Sequence, residues 1–242
     1  MTPKQNMLDR LTLGSETHLP LSMALISVDT VVLRLHKGQL QVLTGRAPHA
    51  NSKVPRALPA GRIDLQQDQD LEQTARRHIR TLTHTQPSWL EQVETIGNNA
   101  RDSRGWSLTV VYFALMRDED GTDEPNAHWY SLPPTGQLPP LAYDHQLLLK
   151  AAIDRLRNKI QYTTLPLYLL PERFTLADIH DVFQSLLGKA PPMRSIRNRF
   201  NENNVLCNTG EKRYGSNRPA SLYTIRAGTT DWMFSRLYES TQ

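Results

Sequence analysis

The sequence predicts an α+β fold in two units, and three observations carry that expectation. β-rich runs dominate residues 1–132, a proline-rich stretch interrupts the chain at 133–142, and helical apolar periodicity followed by a hairpin pattern fills residues 143–226. The charge divides at the same place. Residues 1–142 hold 14 Lys+Arg against 15 Asp+Glu, residues 143–226 hold 13 against 7, and the tail at 227–242 holds 1 against 2, so the net +4 of the chain sits in its second part. A basic unit joined to a neutral one suggests a polyanion-binding module appended to a second function.

Composition bounds the answer further. A chain of 242 residues, 38% hydrophobic with mean hydropathy −0.51, fits one or two globular domains with real cores. No apolar run approaches the roughly 20 residues a membrane span needs. The opening MTPKQNMLDRLTLG lacks the apolar core of a signal peptide, so a cytoplasmic location is expected. The single cysteine, Cys207, excludes an internal disulfide or a cysteine zinc cluster and reads as a small apolar strand residue.

Residues 1–20 form a short lead-in. Then LSMALISVDTVVLRL, a turn at His36, Lys37 and Gly38, and QLQVLTGRA read as a hairpin whose second strand ends in the basic Arg46. A polar loop leads to LPAGRIDLQQDQDLEQTARRHIRTLTHT at residues 58–85, a loop followed by an amphipathic helix. Trp89, Glu91, Val93, Thr95 and Ile96 suggest another strand. A polar loop with Arg101, Asp102, Arg104 and Trp106 introduces a buried strand at 108–116. AHWYSL closes the first unit, and LPPTGQLPPLAY, with four of the sixteen prolines, reads as a semi-rigid linker.

The second unit opens with a helix over about 144–160, where Leu147, Leu148, Ala151, Ile153, Leu156 and Ile160 give the apolar stripe, with Lys150, Arg155, Arg157 and Lys159 on the polar side. Thr175 is placed to cap the next helix, with Asp178 favourable to its dipole and Gly188 to stop it. After a tight connection from Lys189, Pro192 starts a helix, MRSIRNRFNENN, that buries Ile196 and Phe200 and turns Arg194, Ser195, Arg197, Asn198 and Arg199 outward. A strand VLC, a basic hairpin with Lys212, Arg213 and Arg218, and a strand LYTI complete a winged helix-turn-helix. A helix rich in arginine, with Ser and Asn between, is what major-groove reading requires, and the hairpin's cations suit phosphate contacts.

Residues 58–85 resemble a Nudix box, G-x5-E-x7-R-E-U-x-E-E-x-G-U with U aliphatic. Its R-E-U-x-E-E falls on Arg77, His78, Ile79, Arg80, Thr81 and Leu82, so all three acidic positions are replaced. The loop is about two residues longer than the pattern, the earlier acid has no match among Gln66, Gln67, Asp68, Gln69 and Asp70, and His84 stands for the following glycine. In the second unit, K-x-x-Y-T-x-L-x-x-x-L-L-P-x-x-F-T-L from Lys159 and T-G-E-x-R-x-G-x-x-R-P-A-x-L-Y from Thr209 resemble the C-terminal domain of the NrtR group of Nudix-related transcriptional regulators. The R-D-x-R-x-W loop at Arg101 is similar to the corresponding loop of that group.

This resemblance implies an N-terminal Nudix-like α/β/α sandwich with a mixed sheet over 1–132, a 133–142 linker, a winged helix DNA-binding domain over 143–226 and a tail. It implies a cytoplasmic repressor of NAD-related metabolism, a homodimer on double-stranded operator DNA, whose catalytically inactive first domain senses ADP-ribose or a related nucleotide and needs no cofactor or metal. Ligand-binding residues are expected at Arg46, Arg62, Arg77, Arg80, Arg101, Asp102 and Arg104, and DNA-binding residues at Thr175, Lys189, Arg194, Ser195, Arg197, Asn198, Arg199, Lys212, Arg213 and Arg218. Arg76, Arg77 and Arg80 crowd one turn of the box helix, either to hold a diphosphate without metal or to pair with Asp68, Asp70 or Glu72. Two alternatives stand beside this reading. Another acidic set, such as Asp64, Asp68, Asp70, Glu72 and Glu91, would restore hydrolysis, or the first domain would only dimerise.

Overall fold

The computed structural model describes residues 24–47, 54–102, 104–118, 125–134, 137–215, 219–229, 232–235 and 238. The expected lead-in at 1–20 lies outside them. β1 (Leu25–His36) passes through Lys37 and Gly38, at φ 49° and 74°, into β2 (Gln39–Arg46). Left-handed backbone at both central residues is what a two-residue hairpin of matching twist requires. β3 (Arg56–Ala57) and β4 (Ala60–Arg62) are short, and α1 (Leu71–Thr83) follows. Asp70 caps α1 by accepting from the Gln73 amide, and His84 closes it in the left-handed region.

β5 (Trp89–Asn98), β6 (Ser107–Met116) and β7 (His128–Leu132) complete the sheet, whose order is β3-β2-β1-β6-β5 with β4 on β1 and β7 on β2. Only β1 and β6 pair in parallel, so the sheet is mixed. These two central strands are apolar on both faces, as strands covered on both sides must be. Val28, Val32, Val110, Tyr112, Ala114 and Met116 pack toward Ala75 and Ile79 of α1, and Val31, Leu33, Val111, Phe113 and Leu115 face the other side.

That other side is covered by α2 (His145–Lys159). Leu148, Leu149, Ala152, Ile153 and Leu156 share one core with the sheet and with Val182, Phe183 and Leu186, so the helix expected to open the DNA-binding unit also packs on the first. Its buried stripe is also rotated from the expected one. Leu147 is 67% exposed, whereas Lys159 is buried against Glu91 at 2.5 Å, with Arg155 on the same carboxylate at 3.1 Å. A carboxylate partner on β5, which neutralises the ammonium charge, is what allows a lysine on that face, and no periodicity reveals it.

A 3-10 turn at Leu165–Leu169 leads to α3 (Leu176–Leu187), α4 (Met193–Glu202) and the wing, β8 (Leu206–Arg213) with β9 (Ala220–Ile225). Thr175 and Asp178 form a reciprocal capping box on α3, and Gly188 ends it at φ 73°. Phe174 bridges Tyr223 and ties the start of α3 to the wing. Cys207 is on β8 as expected but exposed, because the two-stranded wing has one face without a core. The C-terminal segment folds back: Phe234 stacks edge-on against Phe200 and Tyr238 against Phe183, at 5.3 and 4.9 Å. Polar bonds join the two units, Ser185 Oγ donating to the Gly38 carbonyl and Ser88 Oγ to that of Tyr168, both at 2.6 Å.

Candidate functional site

The box helix α1 presents His78 and Leu82 where the Nudix pattern places carboxylates, and both pack against glycines of the neighbouring strands. A Cβ added at Gly61 would meet His78 Nε2 at 2.9 Å, and one added at Gly45 would meet a Leu82 methyl at 3.1 Å. Burial, with the charge of Arg77 alongside, pushes the His78 imidazole below its usual range. Thr81 donates back to the Arg77 carbonyl at 2.9 Å. The fold implies a divalent metal at this helix, and such an ion needs clustered oxygen ligands. A buried imidazole, a backbonded hydroxyl and a leucine do not supply them.

The alternative acidic set does not replace them. Asp68 receives two bonds from Arg77, at 2.6 and 2.8 Å, Asp70 caps α1, Glu72 holds Arg76, Asp64 binds its own loop, and Glu91 neutralises Lys159 on the far side of the sheet. Among the described residues no three His, Cys, Asp or Glu side chains come together as metal ligands.

The same bonds sort the expected ligand-binding residues. Arg77 is committed to Asp68, which it holds well below the usual carboxylate range, and to the Arg62 carbonyl. Arg80 is exposed and borders a shallow depression of about 260 Å³ with Gln73 and Arg76, on the outer side of α1. Arg101 lies beneath the surface, bonded to Asp144 at 2.5 and 3.0 Å and 3.7 Å from Asp29. Arg104 is bonded to Asp102 at 2.6 Å. Arg46 and Arg62 are exposed and make no ion pair among the described residues.

One further arginine lies beside Arg46. Arg56 faces Arg46 as its partner across the β2–β3 ladder. Like charges directly opposite on a sheet repel, and Arg56 too makes no ion pair among the described residues. The sequence gives no signal for this pairing, because Arg56 lies in a polar stretch without periodicity. Behind these arginines is a buried network. His145 Nδ1 accepts the Leu58 amide at 2.9 Å, its Nε2 donates to Asp29 at 3.1 Å, and Thr109 Oγ1 also donates to Asp29. Burial opposes the Asp29 charge, but these donors and Arg101 outweigh it and hold the carboxyl below its usual range.

In the winged helix, Arg194, Ser195, Arg197 and Asn198 of α4 are exposed along one side, and Lys189 and Lys212 are exposed beside it. Three expected DNA contacts are engaged internally. Thr175 is 4% exposed and used as a cap. Arg199 donates to the Gln161 carbonyl at 2.5 Å and lies 3.5 Å from the centroid of the Tyr238 ring, an aromatic partner from the tail. Arg213 pairs with Asp178 at 2.8 Å. Arg218 lies outside the described residues.

A Nudix-fold unit whose box helix lacks its acids, joined to a winged helix with a basic recognition helix, defines a Nudix-related transcriptional regulator. Residues 166–225 match the family model of the NrtR DNA-binding winged helix domain. The chain is 36% identical over 219 residues, 89% of its length and 87% of the relative's, to the ADPR responsive transcriptional repressor NtrR of Acinetobacter baylyi. Its fold superposes on Shewanella oneidensis NrtR complexed with a 27mer DNA with a TM-score of 0.82 and 38% identity, over 88% of this chain and 99% of the other. The NUDIX domain of the same Shewanella protein, complexed with ADP ribose, matches with a TM-score of 0.50 and 35% identity, over 64% and 99%. The chain belongs to the NrtR family.

Proposed function

We propose that the protein is a DNA-binding transcriptional repressor of NAD-related metabolism whose first unit binds ADP-ribose without cleaving it, and that it acts as a homodimer in the cytoplasm. The observation that carries this reading is which exposed arginines make no ion pair among the described residues: Arg46 and Arg62 at one end of the sheet, and Arg194 and Arg197 on α4. Exposed cations not held in an ion pair among the described residues are available to an external polyanion, phosphates of a nucleotide in one case and of DNA in the other. The relatives' complexes with ADP ribose and with DNA support the same division. We place the start of the DNA-binding unit after α2, shortly before the residues that match the winged helix family model. Among the described residues no helix is long and apolar enough to cross a membrane.

Ligand and operator then oppose one another through one coupling free energy, carried by a relative shift of the two winged units of a dimer. Fluorescence anisotropy with DNA from upstream of the protein's own operon, titrated with ADP-ribose, tests both halves. Specific binding weakened by ADP-ribose is the expected result. An operator affinity that ADP-ribose leaves unchanged removes the sensing half, and binding no tighter than to unrelated DNA removes the other.

A further inference from the structure

Near the arginines that make no ion pair among the described residues stands an aromatic residue in a backbone conformation that aromatic residues avoid. Tyr143 has φ 60° and is 55% exposed. Three other described non-glycine residues share positive φ, and each has a local reason: Lys37 makes the hairpin turn, His84 closes α1, and Asn204 follows α4 and is of a type that tolerates this region. A bulky side chain there is strained, and such strain persists only where the surroundings fix it. They do so on both sides. The Ala142 amide donates to the Arg56 carbonyl at 2.8 Å, Asp144 is held by Arg101, and His145 is held by Asp29 and the Leu58 amide.

The ring therefore has a fixed root and an open face. One side leans on the His145 imidazole, with centroids 5.2 Å apart and planes at 55°, while much of the remainder meets solvent. Its surroundings are cationic. The preceding residue is bonded to Arg56, which pairs with Arg46, and Arg104 is within electrostatic reach of the phenol. Arg62 lies near Asp102, the carboxylate that Arg104 holds. An aromatic face near Arg46, Arg56 and Arg62, which make no ion pair among the described residues, suits a molecule with a planar ring and a phosphate chain.

We propose that Tyr143 is a base-stacking residue: the aromatic base of a nucleoside diphosphate lies on its open face while the phosphates lie on Arg46, Arg56 and Arg62. This rests on the nucleotide-sensing reading above and adds to it what selects a nucleotide over a simple sugar phosphate. The held backbone fixes the root of the side chain and the His145 ring restrains its inner face, so less side-chain freedom is lost on stacking.

Calorimetry of the full chain with ADP-ribose and with inorganic pyrophosphate separates stacking from charge. Tyr143→Leu keeps apolar bulk and loses the ring, and is expected to weaken ADP-ribose about tenfold while leaving pyrophosphate unchanged, whereas Tyr143→Phe stays within about twofold on both. Unfolding midpoints of the variants establish that they are folded. If Tyr143→Leu binds ADP-ribose like the wild type, stacking is wrong and nucleotide sensing stands. Equal losses for ADP-ribose and pyrophosphate, or a loss of self-association with nucleotide affinity unchanged, make Tyr143 structural and also overturn it. A wild-type protein that binds neither compound overturns both the stacking and the reading on which it rests.

Discussion

His145 can donate to Asp29 only because its other ring nitrogen is occupied by the Leu58 amide. The backbone N–H at 2.9 Å requires a lone pair on Nδ1, which places the ring proton on Nε2, 3.1 Å from the buried carboxylate. One side chain thus ties the loop before β4, the first sheet strand and the start of α2.

Removing it is expected to be costly. His145→Ala leaves a buried carboxylate short of a donor and a buried amide without an acceptor, a loss of about 3 kcal/mol, or roughly 9 °C in the unfolding midpoint. His145→Gln, whose amide nitrogen can stand in for Nε2, is expected to recover about half of that. Equal midpoints for the wild type and His145→Ala in a calorimetric scan would show that the network contributes nothing.

Acid is expected to act through Asp29 and Asp68. Both carboxyls are held below their usual value in the folded state, so each contributes stability that is fully present above the unfolded value near 4 and lost as pH falls through the folded one. Unfolding midpoints measured from pH 7 to pH 2 should be nearly flat for these two groups above pH 5 and fall steeply below 4. Asp68→Asn, which removes one of them, should flatten that fall.

The recognition helix offers a contrast between neighbours. Arg197→Ala is expected to weaken operator binding and relax base preference with no change in stability, because the side chain is exposed. Arg199→Ala should lower the unfolding midpoint by several degrees, because it strips a guanidinium from the Tyr238 ring and the Gln161 carbonyl. Lys212→Ala should weaken all DNA alike and reduce the salt slope by about 1. Identical effects of the two arginine changes in paired anisotropy and melting experiments would overturn this division.

Divalent metal is expected to be irrelevant to nucleotide binding. With His78, Thr81 and Leu82 at the box positions, ADP-ribose affinity should be the same in EDTA and in millimolar Mg2+, and phosphate release should stay at the level of buffer. An affinity that collapses on chelation would mean that ligands other than the box helix hold an ion.

Gly61→Ala is expected to destabilise the protein by about 1–3 kcal/mol, because the new methyl group meets the buried His78 ring. The double change Gly61→Ala with His78→Ala should regain part of the loss. A double change that is simply additive in denaturant titrations would deny the contact.

Much of this was legible in the sequence because it follows from local chemistry. Thr175, Asp178 and Gly188 announce both ends of α3, Lys37 and Gly38 announce the hairpin, and the apolar run of β6 announces a strand covered on two sides. What was not legible depends on partners distant along the chain. Lys159 reads as solvated until Glu91, 68 residues away, is seen beneath it. Arg101 reads as ligand-facing and Arg199 as DNA-facing until Asp144 and Tyr238 are found against them, and Arg56 reads as nothing until Arg46 is found opposite. An arginine's role is set by whether a carboxylate or a ring reaches it, and that is a property of the fold.

The packing of Leu82 on Gly45 bears on how this lineage can change. A helix that had merely lost its acids could regain them one substitution at a time. Here a restored glutamate at Leu82 would be driven against the backbone of β2, and one at His78 against β4, so each intermediate would bring a carboxylate into a close contact before any ion could reward it. The packing thus works as an evolutionary ratchet: the path back to hydrolysis descends through less stable proteins.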